Sequence, residues 1–577
     1  MRVQRASLSL LLLSLAVVGC ESTKAPATPG SKPKSVKSAG GPDATKTDHS
    51  NPFIRFIPKD TPFLFMGLKP LDSAMWQDVF SSFQDAMSAQ TMQLSEELEN
   101  SLKSGSKVER LLGGFILETV SRVKAGGLPS IGLSSNPQYA LYGMGLAPVV
   151  RIKLSDPHRF KGFIEAAMAR SKVSLTPKLL NGQSYWLYGG TRVTGVLSLT
   201  QDQIILSALP SSLVDEFLPS ILGQEKLGAT LGTDDTIPKL LKRRRFAGIA
   251  FGFLDIRGIA EKLMTETDSR VRRVLRGFGA QLPKVTAECK ADLTRLLAYA
   301  SRVEFGIESS SAKRIVSLAA ISSKPALTSI FERATSYVPG LGTESTGSLS
   351  LGLGLNMGKL IAEVTPFLKG AQPLKCRQLG AFNHFLTRMK LMAETKLPML
   401  PPVVHGINGL YLEVSNLNFI MKGSEQFSGF LILSAAKVQA LFGLAQVMFP
   451  PLNQVKFEPT GALHDVQVKE GILAPNMRPK GLMVSDGMGI ALGKTQAERL
   501  ETLLKQGSKE PSAFMSYGYH MGRLFGALDT LRARLQRAQG KAEAAQQKSV
   551  ADKLGRLRVD MSARHGEFIM RSSYENN

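Results

Sequence analysis

Short segments in which apolar residues alternate with polar ones recur along most of the chain. Residues 149–154 and 303–307 are two such segments, and their pattern predicts β-strands. Other segments place apolar residues three and four positions apart and predict helices of roughly 12–20 residues. Strands that follow one another as hairpins favour antiparallel pairing. We therefore predict an α+β fold, a mostly antiparallel sheet with helices packed on one face.

The strand and helix segments occur twice in the same order, which indicates an internal duplication. In the clearest pair, Phe246–Leu254 and Phe514–Tyr519 are strands that each run through a polar turn residue into a helix. The other pairs are residues 62–68 with 347–355, 149–154 with 427–433, 193–209 with 481–492, and 303–321 with 557–572. A loop-like stretch, Pro339–Thr343, separates the copies. We predict two pseudo-repeated α+β halves, residues 52–342 and 343–577.

The first twenty residues have a different pattern. Arg2 and Arg5 precede an apolar run, Leu8–Val18, which is too short for an ordinary membrane-spanning helix and is typical of an export signal. The run ends in two valines followed by Gly19 and Cys20. This segment resembles the lipobox of bacterial lipoproteins. The resemblance implies a signal peptide over residues 1–19, cleavage between Gly19 and Cys20, and a lipid anchor on Cys20.

The same resemblance implies a location in the cell envelope, with Cys20 held in a membrane by its acyl chains. Glu21, rather than an aspartate, follows the cysteine, which resembles the sorting pattern of outer-membrane lipoproteins facing the periplasm or the cell surface. The alternative is an ordinary signal peptide with a chance cysteine. A second resemblance involves Ile57–Pro62 and the strand that follows it. They are similar to the opening of certain secreted bacterial strand–helix repeat proteins of unknown function, which implies no activity.

Residues 20–51 predict a flexible linker between the lipid anchor and the body. They are mostly Ser, Thr, Pro, Gly, Lys and Ala, and Val36 is the only strongly apolar residue among them. Such a stretch cannot bury enough surface to offset the entropy of ordering it. It would span roughly 100 Å when extended and roughly 30 Å as a coil. Its lysines either contact anionic head groups or are simply solvated.

The chain is strongly basic, with a formal net charge of +24. For an exported protein this favours anionic envelope partners, such as lipid head groups, lipopolysaccharide, cell-wall polymers or acidic proteins, and not nucleic acid. General basicity without a partner is the alternative. The densest basic clusters, Lys242–Arg245 and Arg270–Arg276, are either anionic contacts or solvated helix faces. No run after the signal reaches eighteen apolar residues, so no membrane span is predicted.

Catalytic and metal-binding motifs are not recognisable in the sequence. It contains no Gly-x-Ser-x-Gly elbow, P-loop, His-Glu-x-x-His or calcium loop, and its seven histidines are scattered. Cys289 and Cys376, the cysteines that remain after Cys20, either form a disulfide or stay reduced, and they are a poor zinc set. We predict no catalytic residue, no metal and no cofactor.

These observations favour a non-enzymatic envelope lipoprotein that binds another envelope component or has a structural role. One alternative is a periplasmic carrier or chaperone for lipid or another hydrophobic ligand. Another is a hydrolase whose site is assembled from distant residues. An apolar cavity larger than roughly 300 Å³ would favour the carrier, and a large exposed apolar patch would favour the binding protein.

Overall fold

The computed structural model describes residues 52–70, 98–265, 269–282, 285–415, 428–448, 457, 461–466, 478–507, 510–524 and 555–575. The predicted signal peptide, Cys20 and the linker lie outside these residues, as does the helix predicted over residues 73–87. Helices and antiparallel strands make up an α+β fold, as the hydrophobic pattern predicted. The chain forms two compact units.

The first unit takes the chain up to Lys284 together with Glu304–Lys313, and the second takes Val285–Val303 together with the chain from Arg314. The chain therefore passes between the units at 284/285, 303/304 and 313/314, whereas the sequence predicted a single boundary at 342/343. Residues 285–303 belong with the second unit because the helix they contain is bonded to residues 375 and 376 of that unit.

The first unit contains a sheet in which every pairing is antiparallel. Its strands are β1 (Phe63–Gly67), β2 (Tyr139–Met144), β3 (Ala147–Lys153), β4 (Lys178–Leu180), β5 (Gln183–Gly189), β6 (Val193–Leu199), β7 (Gln203–Pro210), β8 (Phe251–Leu254) and most of β9 (Arg302–Ser310). Its helices are α1 (Lys107–Gly126), α2 (Pro157–Ser171), α3 (Val214–Leu222), α4 (Thr236–Arg244), α5 (Ile256–Thr265) and α6 (Arg270–Gly277). The paired strands follow the order β8–β1–β2–β3–β7–β6–β5–β4.

Helical segments cover both faces of the first unit's sheet at β3. Val150 lies in a core with Phe160 and Phe163 of α2. Arg151 points to the opposite face, where its Nη2 donates to the carbonyl oxygen of Ile221 in α3 at 2.6 Å. Because neighbouring strand residues point to opposite faces, α2 and α3 lie on different sides of the sheet. The alternation pattern, which placed helices on one face, did not predict this additional layer.

The second unit also contains an antiparallel sheet. Its strands are β10 (Arg314–Ser322), β11 (Leu349–Leu353), β12 (Ile407–Val414), β13 (Gly429–Ala435), β14 (His464–Asp465), β15 (Lys480–Met483), β16 (Gly487–Leu492), β17 (Met515–His520), β18 (Arg556–Arg564) and β19 (Glu567–Glu575). Its helices are α7 (Ala287–Leu297), α8 (Pro325–Ala334), α9 (Met357–Lys369), α10 (Gly380–Thr395), α11 (Val438–Met448) and α12 (Lys494–Lys505). The paired strands follow the order β10–β19–β18–β17–β11–β12–β13–β16–β15–β14.

Seven neighbouring strands follow the same order in the two units. The order β8–β1–β2–β3–β7–β6–β5 corresponds strand by strand to β17–β11–β12–β13–β16–β15–β14. The sequence repeats matched β1 with β11, β3 with β13, β6 with β15, and β8 with β17, and these strands hold equivalent places in the two orders. Duplication of the sequence itself stays a prediction.

Candidate functional site

Cys289 and Cys376 are joined by a disulfide, with their Cα atoms 4.4 Å apart. The carboxylate of Asp292 in α7 reinforces this connection, since its Oδ2 accepts hydrogen bonds from the backbone amides of Lys375 (2.6 Å) and Cys376 (2.8 Å). Both bonds fix the segment that leads into α10. The cysteines are therefore a structural clamp within the second unit. Cys20 and Gly19 lie outside the described residues.

Three polar residues where strands turn into helices act as helix caps. The side chain of Asp255 accepts a hydrogen bond from the amide of Gly258 at 2.8 Å, and that of Asn356 accepts one from Lys359 at 2.8 Å. His520 Nδ1 receives the longer bond, 3.4 Å, from the amide of Arg523. A structural role in the turn therefore accounts for these residues.

Arg151 is fully buried in the first unit, although its strand gave no sign of this in the sequence. Its Nε donates to the hydroxyl of Tyr142 at 3.1 Å and its Nη1 to Gln203 Oε1 at 2.8 Å. The guanidinium carbon lies 3.9 Å from the centre of the Phe56 ring. Together with the bond to Ile221, these contacts satisfy the guanidinium inside the protein, so we assign it a role in holding β2, β3, β7 and α3 together.

Glu413 is fully buried in the second unit. Its carboxylate accepts hydrogen bonds from the hydroxyl of Tyr411 (2.9 Å), from Arg499 Nη2 (3.2 Å) and from Thr346 (3.2 Å). Burial and the neighbouring carboxylate raise the pKa of Tyr411, which keeps its proton and remains a donor. Arg499 also donates to the carbonyl oxygen of Glu344 at 2.6 Å, so these contacts join α12 to β12 and to the segment before β11, and we assign them a structural role.

The basic cluster at Lys242–Arg245 is partly buried and not a free cationic patch. Arg244 Nε lies 2.7 Å from one oxygen of Glu304, and Arg243 Nη2 lies 2.5 Å from the other. The Glu304 side chain is almost completely buried. Part of the cluster thus neutralises a carboxylate inside the first unit. The positive charge that remains for an anionic partner is therefore smaller.

Two cavities of the second unit are lined mainly by polar and charged residues. The smaller, about 20 Å³, has room for about one water. The larger is an open hollow of about 310 Å³ lined by Thr335, Ser336, Tyr337, Lys359, Asn408, Ser434, Asp486 and Pro511. Burial and the charge of Asp486 raise the pKa of Tyr337, so its hydroxyl keeps its proton. Neither lining contains a histidine, and neither cavity is the apolar one expected of a carrier.

One face of the second unit's sheet is apolar and partly uncovered. Leu351, Leu412 and Leu431 stand directly opposite one another on β11, β12 and β13, so their side chains share a face. Leu351 is 39% exposed and Leu431 is 43% exposed, and Leu410 on the same face is also exposed. Ile490 and Tyr517 continue the row on β16 and β17. We call this surface the open leucine face.

The opposite face of the same strands is a closed core. Phe430 and Ile432 of β13 are buried with Leu500, Leu503 and Leu504 of α12. In the first unit α3, which follows β7 as α12 follows the equivalent strand β16, also lies on this side. The open leucine face therefore corresponds to the side that α2 covers in the first unit, where the equivalent row includes the buried Val150.

Helix α10 has a second uncovered apolar surface. Phe382, Phe385, Met389 and Met392 are spaced 3, 4 and 3 residues apart, so they form one stripe along the helix. Phe385 is 54% exposed, Phe382 and Met392 are also exposed, and the rings of Phe382 and Phe385 lie 6.1 Å apart. Ala393 is the buried residue of this helix, which packs against α9. We call Phe382, Phe385, Met389 and Met392 the α10 stripe.

In the described part of the chain, every helix is too short or too polar to cross a bilayer, and no three His, Cys, Asp or Glu side chains are grouped so as to hold a metal ion. The open leucine face and the α10 stripe are therefore the features that we consider as candidates for function. No protein-family model, curated protein or solved structure matches this chain.

Proposed function

We propose that this protein is a lipoprotein of the cell envelope, anchored through Cys20, that binds another envelope component without enzymatic activity. Its binding surface is the open leucine face of the second unit. The lipobox and the Glu21 that follows it support an outer-membrane anchor, with the body at the periplasmic or cell-surface side. The linker over residues 20–51 gives the body reach from the bilayer.

A single observation carries the binding role. Leu351 and Leu431 are large apolar side chains that face outward in one row of paired strands, where the equivalent row of the first unit is covered. Burying a leucine side chain contributes about 1.5–3 kcal/mol. A partner that covers this row therefore gains affinity although the row forms no deep cavity. Exposed apolar patches of this kind commonly mark interaction sites.

The first unit indicates what kind of partner fits this face. There, α2 places Phe160, Phe163 and Ile164 on the equivalent side of the sheet. These residues are three and four positions apart, the spacing of one apolar helix face. An amphipathic helix of another envelope protein would present the same surface to the open leucine face. The acyl chain of a lipid is the alternative occupant, since the row consists of leucines with Ile490 and Tyr517.

Site-specific photo-crosslinking in intact envelopes tests the binding role. A photoreactive residue replaces Leu431, and the matched control carries it at Leu179, a leucine of the first unit that is 70% exposed. We expect a discrete protein adduct at position 431 that Leu351→Asp weakens at least fivefold. Adducts to lipid alone would support the carrier. No adduct above the level at position 179 would rule out this face as the binding surface.

Metabolic labelling with a fatty-acid analogue tests the anchor separately. The wild-type protein should take up label, Cys20→Ser should lose it, and Cys376→Ser should keep it. Retention of label by Cys20→Ser would show that the lipobox resemblance is misleading.

A further inference from the structure

We propose that α10 is a second membrane contact, a helix that lies on an anionic lipid surface with the α10 stripe inserted at the level of the head groups. This contact is independent of the lipid on Cys20 and of the open leucine face. It follows from the exposure, the charge and the mounting of one helix.

The exposed apolar residues of this region extend beyond a single narrow stripe. Leu391 is 58% exposed although it lies about 100° around the helix from Met392. Met399, in the short helical turn Leu397–Met399, is 77% exposed. A seam for one partner helix needs only the narrow stripe. Apolar residues spread over a wide arc fit a planar surface, into which several side chains insert together.

Basic residues accompany these apolar residues in the sequence. Residues 375–396 contain Lys375, Arg377, Arg388, Lys390 and Lys396 but only one acidic residue, Glu394. No ion pair in the described part of the chain uses Arg388, Lys390 or Lys396. Lysine and arginine next to exposed Phe, Leu and Met are typical of helices that bind anionic bilayers, because the cations reach the phosphates while the apolar groups enter the acyl boundary.

The charge also argues against a second copy of this chain as the occupant. Two α10 helices packed through their stripes would bring their cationic flanks together, and like charges in contact oppose association. An anionic surface gains from the same charges.

The way in which α10 is attached to the rest of the second unit suits a surface contact. The disulfide, and the hydrogen bonds that the amides of Lys375 and Cys376 donate to Asp292, fix the segment that leads into the helix. Leu379, at the N-terminal cap position, makes no capping bond with its side chain. The helix is therefore held at its base by a covalent clamp while its outer surface stays free, which limits the ordering needed when it meets a bilayer.

Vesicle flotation of the full-length, unlipidated Cys20→Ser protein tests this inference without the acyl anchor. The probes are vesicles of phosphatidylcholine alone and of phosphatidylcholine with 30% phosphatidylglycerol, each at low and high salt. The test variants are the pairs Phe385→Ser with Met392→Ser and Arg388→Gln with Lys396→Gln. The matched controls are Leu179→Ser and Arg192→Gln, exposed residues of the first unit.

We expect the Cys20→Ser protein without further substitutions, which serves as the reference, to bind the anionic vesicles at least tenfold more tightly than the neutral ones. High salt should remove this preference. The Phe385/Met392 pair should lower binding at least tenfold, and the Arg388/Lys396 pair should weaken it about fivefold for each charge removed. The controls should bind within twofold of this reference. All variants should melt cooperatively, because the changed residues are exposed.

Two results would overturn the inference. One is binding to anionic vesicles that the α10 variants do not reduce. The other is that the Cys20→Ser reference protein does not bind vesicles. This result would overturn the inference even if a photoreactive residue at position 385 captured an acidic protein. Because the Cys20→Ser chain is used, either result leaves the proposed lipid anchor and the open leucine face to their own tests.

Discussion

The two units order their strands alike but differ in what covers one face of the sheet. In the first unit, Phe115 of α1 packs edge to face on Phe163 of α2, and α2 covers the row that includes Val150. In the second unit, α10 packs on α9, and the equivalent row at Leu351 and Leu431 remains partly exposed. The same strand order therefore supports a closed core in one unit and an interaction surface in the other, according to where the connecting helices lie.

The connecting helices α1 and α10 also differ in how their ends are held. Both helices occur between equivalent strands, β1 and β2 in one unit and β11 and β12 in the other. α1 begins with a capping box in which Ser106 and Glu109 satisfy each other's amides. α10 lacks a side-chain cap and follows a disulfide-bonded cysteine. The helix α1 therefore begins at a local capping box, whereas α10 is preceded by a disulfide that joins residues 87 positions apart.

Among these changes, placing a charge in the two equivalent rows should have the largest effect on the free energy of unfolding. Val150→Asp buries an unpaired carboxylate beneath α2 and should cost about 4 kcal/mol or more of unfolding free energy. Leu431→Asp puts the charge where water already reaches and should cost about 1 kcal/mol. Denaturant unfolding followed by hydrogen exchange at β3 and β13 measures both. Equal costs would show that the second face is not open.

Removing the covalent clamp should have an intermediate effect, confined to the second unit. The double substitution Cys289→Ser with Cys376→Ser opens a loop of 87 residues and should lower the unfolding free energy of this unit by about 2–4 kcal/mol. The buried Trp186 reports on the first unit, and its fluorescence transition should not move. A shift of the Trp186 transition as large as that of the second unit would contradict a clamp confined to one unit.

Removing the capping box of α1 should have the smallest effect. Ser106→Ala combined with Glu109→Ala removes bonds of 3.3 and 2.8 Å and should cost about 1–2 kcal/mol. The bond from the Ser106 amide lowers the pKa of Glu109, so its stabilisation is present at neutral pH and fades as the pH falls below the ordinary pKa of glutamate and through the lowered one. The difference between wild type and variant, measured by melting at pH 7 and pH 3, should therefore shrink in acid. A constant difference would show that the carboxylate contributes nothing.

The fold class and the individual strands could be predicted from the sequence. The packing of helices that are distant from those strands in the chain could not. Alternating residues predicted the α+β class and the strands such as β3, because each strand depends on its own pattern. Alternation also puts Leu351 and Leu431 on one face of their strands, but it does not tell whether a helix covers that face. Their exposure depends on where α9, α10 and α11 pack, and no local pattern encodes that.

Buried charges and the disulfide show the same limit. Arg151 looks like the solvent-facing residue of an alternating strand. The groups that satisfy it, Tyr142, Gln203 and Ile221, come from separate parts of the chain. Cys289 and Cys376 left pairing open for the same reason, since bonding depends on a Cα separation that only the folded chain defines.

The interleaving of the two units has a consequence for the order in which the chain folds. In β9, Ile307 belongs to the first unit, where it exchanges backbone hydrogen bonds with Ala247 and Ala250. Residues 285–303, which belong to the second unit, come before it in the chain. Because synthesis begins at the N-terminus, a helix of the second unit is made before the last segment of the first unit. A single proteolytic cut between residues 284 and 285 would therefore leave Glu304–Lys313 joined to the wrong fragment.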